Sequence, residues 1–118
     1  MTETTKKNLE HQLRMFQIAV EHSPESIVIT DHNGNIEYVN PKFTQTYGYK
    51  LSELIGKKPT IIKSGKTDIE VNQNLWQTIL AGNTWYGEFI NKTRDGREII
   101  EECSISPVFD NSGKIVNF

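Results

Sequence analysis

Two segments of the sequence place polar or polarisable groups on faces that are otherwise apolar. Side-chain alternation along an extended segment puts Trp85, Phe89 and Asn91 on one side. Alternation along the next segment puts Glu101 and Cys103 on one side. A buried amide or carboxyl group costs free energy unless it is hydrogen-bonded, so a ligand in an internal pocket is one partner that this wall predicts. The candidate binding residues are Asn91, Trp85, Phe89, Glu101, Cys103 and Trp76.

Hydrogen bonding within the protein is the alternative for the polar members of this wall. Asn91 and Glu101 would then bond to backbone at the sheet edge or to a buried water. Trp76 and Trp85 would be ordinary core side chains, and Cys103 an inert small core residue, because apolar burial raises the pKa of a thiol.

Catalytic and metal sites are not predicted. No set of Cys, His and carboxylate residues has the spacing of metal ligands. The sequence also lacks a glycine-rich phosphate loop, a zinc-protease helix and a nucleophile elbow. Glu101 and Glu102 are adjacent in a strand and point to opposite faces, so they cannot share a substrate. We therefore rank a small α+β enzyme below two other hypotheses, a ligand-binding domain and a dimerisation module.

The composition favours one globular domain in a reducing compartment. With 118 residues and 36% hydrophobic content, the chain suits a single core. Its net charge of −2 disfavours nucleic-acid binding, which requires clustered Lys and Arg. The lone Cys103 cannot form an intrachain disulfide, and no apolar run approaches the ~20 residues that cross a bilayer. We therefore expect a cytoplasmic protein with no membrane contact by this segment.

Periodicity predicts an α+β fold. Residues 5–22 show an amphipathic helical stripe that includes Leu9, Leu13 and Phe16. The stripe could cover the sheet of its own chain, but a heptad-like seam of this kind favours a homodimer through the helix. We assign residues 1–22 to this linker or dimerisation helix and 23–118 to the domain, with the last strand cut short at Phe118. Tight turns between sequential strands predict one antiparallel five-stranded sheet with short helices on one face. The predicted strands are 26–30, 35–39, 85–93, 97–109 and 115–118, and the further helices are 41–47, 52–56 and 68–80.

Four stretches in this order carry a family resemblance. They are Ile27-Val-Ile-Thr-Asp31 with Gly34; Tyr38-Val-Asn40-Pro41 leading to Phe43 and Tyr47-Gly48-Tyr49; Leu54-Ile-Gly56; and Asp95-Gly96 followed by Ser106-Pro107-Val108 and Asp110 to Gly113. Together they resemble the PAS family of sensory domains from about Met15 to Phe118. The resemblance implies a pocketed five-stranded sheet that senses a ligand, redox state or light. It also implies an output domain in the same parent chain, such as a histidine kinase or a diguanylate cyclase.

A narrower resemblance concerns the cofactor. Ile62-Lys-Ser-Gly65, Leu75-Trp76, Gly82 and Trp85-Tyr-Gly87 with Asn91 are similar to the subgroup that includes FAD-binding redox and aerotaxis domains. It implies that Asn91 faces the edge of a flavin ring and that Trp85 covers the ring. Glu101 departs from this pattern, because light-sensing relatives carry a second Asn there. Pro59 stands where a photoreactive cysteine would be needed, and the helix 68–80 lacks the His that haem would need.

A hypothesis of a different class needs no ligand. The chain would then be a dimerisation and signal-transmission module, in which Leu9, Leu13 and Phe16 matter more than Asn91 or Trp85.

Overall fold

The computed structural model describes residues 2–118, and its first element is an exposed helix. Helix α1 spans Glu3–Glu21 and begins at Thr2, whose side chain accepts a hydrogen bond from the Thr5 backbone N–H. None of its 19 residues is buried. The predicted apolar stripe is therefore present but uncovered, with Leu13 69% and Phe16 67% exposed.

Six short strands form three antiparallel pairs within residues 2–118. The first and second strands pair, as do the third and fourth and the fifth and sixth. The strands are β1 (Val28–Thr30), β2 (Ile36–Val39), β3 (Trp85–Lys92), β4 (Glu98–Ile105), β5 (Val108–Phe109) and β6 (Ile115–Asn117).

The predicted single five-stranded sheet differs from this arrangement in two places. The expected long strand 97–109 is divided into β4 and β5, because Pro107 lacks the N–H that a continuous ladder needs. The pairs β1–β2 and β5–β6 join where the backbones of Thr30 and Phe118 exchange two hydrogen bonds of 2.8 and 3.1 Å and where Nδ2 of Asn117 donates to the Thr30 carbonyl at 2.9 Å. The α+β class with antiparallel strands is confirmed.

The turns β1–β2 and β5–β6 share one construction. In each, an aspartate carboxylate accepts backbone N–H groups two and four residues ahead: Asp31 from Asn33 and Asn35, and Asp110 from Ser112 and Lys114. The fourth turn residue is a glycine at φ 84° or 85°, a conformation that side chains with a Cβ rarely adopt.

Short helices connect the second and third strands. They are α2 (Pro41–Tyr47), α3 (Leu51–Leu54), a 3-10 turn (Pro59–Ile62) and α4 (Ile69–Leu80). Asn40 caps α2 through its side chain, Pro41 occupies the first helical position and Gly48 ends the helix at φ 85°, as the sequence predicts. The next helix begins after Lys50, not after Ser52.

The core consists of two clusters. One is formed by α2, α3 and β2 and contains Ile36, Val39, Phe43, Tyr47 and Leu54. The other is formed by α4 and β3 and contains Leu75, Ile79 and Trp85. On α4 only Leu75 and Ile79 are buried, whereas Ile69, Trp76 and Leu80 are exposed.

Candidate functional site

The β3–β4 hairpin presents the predicted wall. Burial alternates along both strands, with Trp85 and Asn91 buried and Glu101 and Cys103 half-buried, while their neighbours in the chain are mostly exposed. The register places Phe89 opposite Glu101 and Gly87 opposite Cys103. The face assignment made from alternation is confirmed.

The two polar members of this wall meet at one tyrosine. The Tyr47 hydroxyl donates a short hydrogen bond to Oε1 of Glu101 and accepts one of 3.0 Å from Nδ2 of Asn91. Tyr47 is 2% exposed and Asn91 8%. We call Asn91, Tyr47 and Glu101 the polar triad.

Burial fixes the protonation of the triad's tyrosine. Desolvation and the hydrogen bond to Glu101 raise the pKa of Tyr47 well above its ordinary value. The hydroxyl therefore keeps its proton at any physiological pH and remains the donor to Glu101. The triad is a directed chain that runs from the Asn91 amide through the hydroxyl to the carboxyl group.

Two aromatic rings fill the neighbouring part of the wall. Trp85 and Phe89 have ring centroids 5.1 Å apart, and Trp85 packs with the α4 residues of the second core cluster. Its indole N–H donates to Oδ1 of Asn74 at 3.0 Å. The indole lies over Gly87, where an added Cβ would be 2.4 Å from two ring carbons. Glycine at this position is what allows the indole to lie flat on the strand.

Trp76 lies apart from the other candidate residues. Its side chain is 41% exposed and meets Phe118 edge to face at 6.0 Å. Its ring also lies 3.4 Å from the position of a Cβ at Gly34. The structure therefore brings five of the six candidates onto the β3–β4 wall and places Trp76 at the β1–β2 turn.

Cys103 is half-buried on the wall. Desolvation, with the nearby Glu101, raises the pKa of its thiol to about 11. A thiol with this pKa is almost fully protonated at neutral pH, and the thiolate is the reactive form.

The sequence analysis missed Tyr47 as a member of the site, as well as the cover on β3. In the sequence Tyr47 stands out only as part of the Tyr47-Gly48-Tyr49 motif, and no local pattern marks its hydroxyl as a partner of the wall. The outer edge of β3 is covered by Ser64 and Thr67, whose hydroxyls bond to the backbone carbonyl and N–H of Ile90 respectively. No periodicity in the segment around these residues indicates this contact.

Two surface grooves are present, and one of them is lined in part by the wall residue Cys103. It has a volume of about 460 Å³ and lies along the β3–β4 hairpin, and the other, of about 290 Å³, is beside the end of α2. Trp85, Phe89 and Asn91 line neither of them. In residues 2–118 no cluster of three or more His, Cys, Asp or Glu is arranged to hold a metal ion. The helices of this same range are too short or too polar to cross a bilayer.

Comparison with known proteins identifies the class. A family model described as PAS domain matches residues 24–118. The chain belongs to the PAS domain family, and it is a sensory and regulatory domain.

Similar proteins extend this assignment. The chain is 35% identical over 104 residues to a nitrogen fixation regulatory protein of Klebsiella pneumoniae, covering 88% of this chain and 21% of that relative. It therefore spans about a fifth of the length of that relative. A solved RNA-binding light-oxygen-voltage receptor has a similar fold, with a TM-score of 0.82 at 20% identity, over 89% of this chain and 30% of that one. A PAS domain from Colwellia psychrerythraea gives a TM-score of 0.74 at 21% identity, covering 89% of each chain.

Proposed function

We propose that this chain is the signal-input domain of a larger signalling protein, and that it senses a small ligand at the β3–β4 wall. The observation that carries the proposal is the polar triad: a buried amide and a carboxyl group stand on an otherwise apolar wall and share a single hydroxyl. Burial of these polar groups costs free energy, and an apolar wall with only a structural role would avoid that cost. The output domain that we expect is a histidine kinase or a diguanylate cyclase, as the sequence resemblance implies.

The triad's remaining hydrogen-bonding capacity defines the ligand class. Tyr47 uses one N–H of Asn91 and one oxygen of Glu101, which leaves the Asn91 carbonyl and the second Glu101 oxygen as acceptors and the other Asn91 N–H as a donor. A ligand that presents N–H donors matches these acceptors. A carboxylate or phosphate ligand would meet the Glu101 carboxyl group and is disfavoured.

FAD is the specific cofactor to test first. In its favour, Asn91, Trp85 and Phe89 share the inward face, and the edge of a flavin ring offers both N–H and C=O groups. Against it, the Asn91 amide already donates to the Tyr47 hydroxyl, and the rings of Trp85 and Phe89 pack against each other on the same face. A flavin fits only where Tyr47 releases Asn91 and the Trp85 indole moves off Gly87.

The absorption spectrum of the purified protein tests this cofactor. Bands in the flavin region, with free flavin released on denaturation, would support FAD. Reconstitution of wild-type and Asn91→Ala protein with added FAD then tests the wall, and we expect weaker retention in the variant. A protein that neither carries nor takes up flavin refutes the FAD assignment. Thermal-shift titration with N–H donor ligands and matched carboxylates then tests the broader ligand class.

A second function, dimerisation and transmission without a ligand, is favoured by a separate observation. Within residues 2–118 every fully buried side-chain nitrogen or oxygen has a hydrogen-bond partner, so the wall needs no ligand to satisfy it. Helix α1 meanwhile exposes Leu9, Leu13 and Phe16 on one side. Under this proposal two chains associate through these stripes, since a buried apolar stripe is stabilised by about 25 cal/mol per Å² removed from water. The free, half-buried thiol of Cys103 supports a reducing, cytoplasmic compartment for either function.

Leu13→Asp tests the dimer. The added charge would lie in the apolar seam, so we expect the variant to sediment as a monomer at concentrations where the wild type is a dimer. Asn8→Asp is the matched control, because it adds the same charge about 140° around α1 from Leu13, outside the apolar stripe, and should leave the dimer intact. A wild-type protein that sediments as a monomer throughout, or an unchanged dimer in the Leu13 variant, would refute association through this helix.

A further inference from the structure

Helix α2 touches the polar triad at one end and the root of α1 at the other. Its last residue is Tyr47, the centre of the triad. Its N-cap is Asn40, which is completely buried. The two side chains are seven positions apart, which is about 10 Å along a helix.

Asn40 joins three parts of the chain through one side chain. Its Oδ1 accepts the backbone N–H of Phe43 at 3.1 Å and that of Ile27 at 2.9 Å. Its Nδ2 donates to the carbonyl of Val20 at 3.1 Å and to that of Glu25 at 2.9 Å. The first bond caps α2, and the Val20 bond holds the last turn of α1. The other two hold the linker that leads into β1.

Packing gives α2 little room to deform between these ends. Phe43 and Tyr47 are both 2% exposed, and their ring centroids are 4.7 Å apart. They form one cluster with Ile36, Val39 and Leu54. Close-packed interiors transmit displacement because they have few voids to absorb it. A shift at Tyr47 therefore moves the whole helix, including its cap.

We propose that α2 couples the state of the polar triad to the attachment of α1, with Tyr47 and Asn40 as its two positioning residues. Loss of the Tyr47 bonds releases α2 and weakens the Asn40 bonds to the end of α1 and its linker. The coupling is reciprocal, so a change at Asn40 must also alter the triad. The use of this coupling in signalling rests on the proposed input function, whereas the coupling itself does not depend on any ligand.

Tyr47→Phe in the whole chain tests this coupling, with native-state amide exchange as the readout. The variant keeps the ring and removes the hydroxyl. We expect exchange of the Ile27 amide, which is bonded to Asn40, to rise by about three- to tenfold, as loss of one net hydrogen bond would give. The amides of Leu75 and Ile79, in the other core cluster, report global unfolding and provide the reference.

Two further variants complete the test. Tyr86→Phe is the matched control, because it removes the hydroxyl of a tyrosine that is 76% exposed. Glu101→Gln perturbs the triad while it keeps Tyr47 whole, and it should also raise Ile27 exchange. The proposal is overturned if the Ile27 amide responds to Tyr47→Phe and Glu101→Gln no more than to Tyr86→Phe. It is equally overturned if the change matches that of Leu75 and Ile79.

A double-mutant cycle gives the second measure of the coupling. Asn40→Asp keeps the acceptor of the cap and removes the donors to Val20 and Glu25. Sites about 10 Å apart that share no partner have independent effects. If α2 links the two sites, their effects are not independent. We then expect the double variant to raise the Ile27 exchange rate by less than the product of the increases caused by Asn40→Asp and Tyr47→Phe alone. Strictly multiplicative factors would mean that α2 does not link the two ends. A negative flavin spectrum bears only on the ligand and leaves this result unaffected.

Discussion

Replacing Gly87 with alanine tests how the Trp85 indole packs on the wall. The new Cβ would lie 2.4 Å from Cη2 and Cζ2 of Trp85, far inside the favourable carbon–carbon separation of about 3.5–4.0 Å. The φ of Gly87 is outside the left-handed region, so the backbone itself tolerates a side chain. The indole is thus the obstacle to alanine.

The expected cost follows from three contributions. Overpacking of a filled core costs about 1–3 kcal/mol. Displacing the indole also breaks its 3.0 Å hydrogen bond to Asn74, which is worth about 1 kcal/mol. Against these, alanine stabilises a strand interior relative to glycine by about 0.5–1 kcal/mol. The net expectation is that Gly87→Ala lowers the free energy of unfolding by about 1–3 kcal/mol.

Urea denaturation followed by far-UV circular dichroism measures this cost, and the Trp85→Leu background provides the decisive comparison. Without the indole the clash and the Asn74 bond are both absent. Gly87→Ala should then stabilise the protein by about 0.5–1 kcal/mol, a reversal of sign. Equal effects of the alanine in the two backgrounds would refute the packing described for Trp85, as would a Gly87→Ala protein as stable as the wild type.

Two further predictions concern single side chains. Hydrogen bonds from Ser112 and from the Lys114 backbone hold the pKa of Asp110 below its ordinary value, so its contribution to stability is present above about pH 4 and is lost as the pH falls through the lowered pKa. The urea midpoint of Asp110→Asn should therefore fall less between pH 5 and pH 3 than that of the wild type, and identical profiles would contradict this. The Cys103 thiol, with its pKa of about 11, should react with iodoacetamide at pH 8 at least about tenfold more slowly in the folded protein than in urea. Equal rates in the two states would show that burial does not protect it.

Local rules predicted much of the fold and the inward face of the β3–β4 wall, but not Tyr47. Alternation alone identified the inward face of β3 and β4, because a strand has no other way to place its side chains. The start and end of α2 followed from Asn40 and Gly48, since caps depend on a few adjacent residues. The α+β class and the family followed from the order of these elements.

The remaining features depend on contacts between residues distant in the chain. Tyr47 lies 44 residues before Asn91 and 54 before Glu101, and no local pattern indicates which hydroxyl will reach a buried amide. No local pattern shows which side of α4 is covered: Leu75 and Ile79 are buried, whereas Trp76 is exposed. The exposure of α1 could not be predicted either, because hydrophobic periodicity indicates an apolar stripe but does not show what covers it.

Tyr47 also gives a physical reason for the departure at Glu101. Where light-sensing relatives carry a second asparagine, this chain has a group that accepts hydrogen bonds when ionised. Because Glu101 accepts the hydrogen bond that the Tyr47 hydroxyl donates, the hydroxyl oxygen is free to accept one from Asn91. Donors and acceptors therefore alternate along the triad. An asparagine at 101 can present either its donor or its acceptor to Tyr47, and the direction of the chain would then be undetermined. The residue that departs from the flavin pattern is therefore the one that orders the wall internally. Under the proposed input function, a ligand either complements that order at the unused oxygens or breaks it by displacing Tyr47, and the second route acts directly on α2.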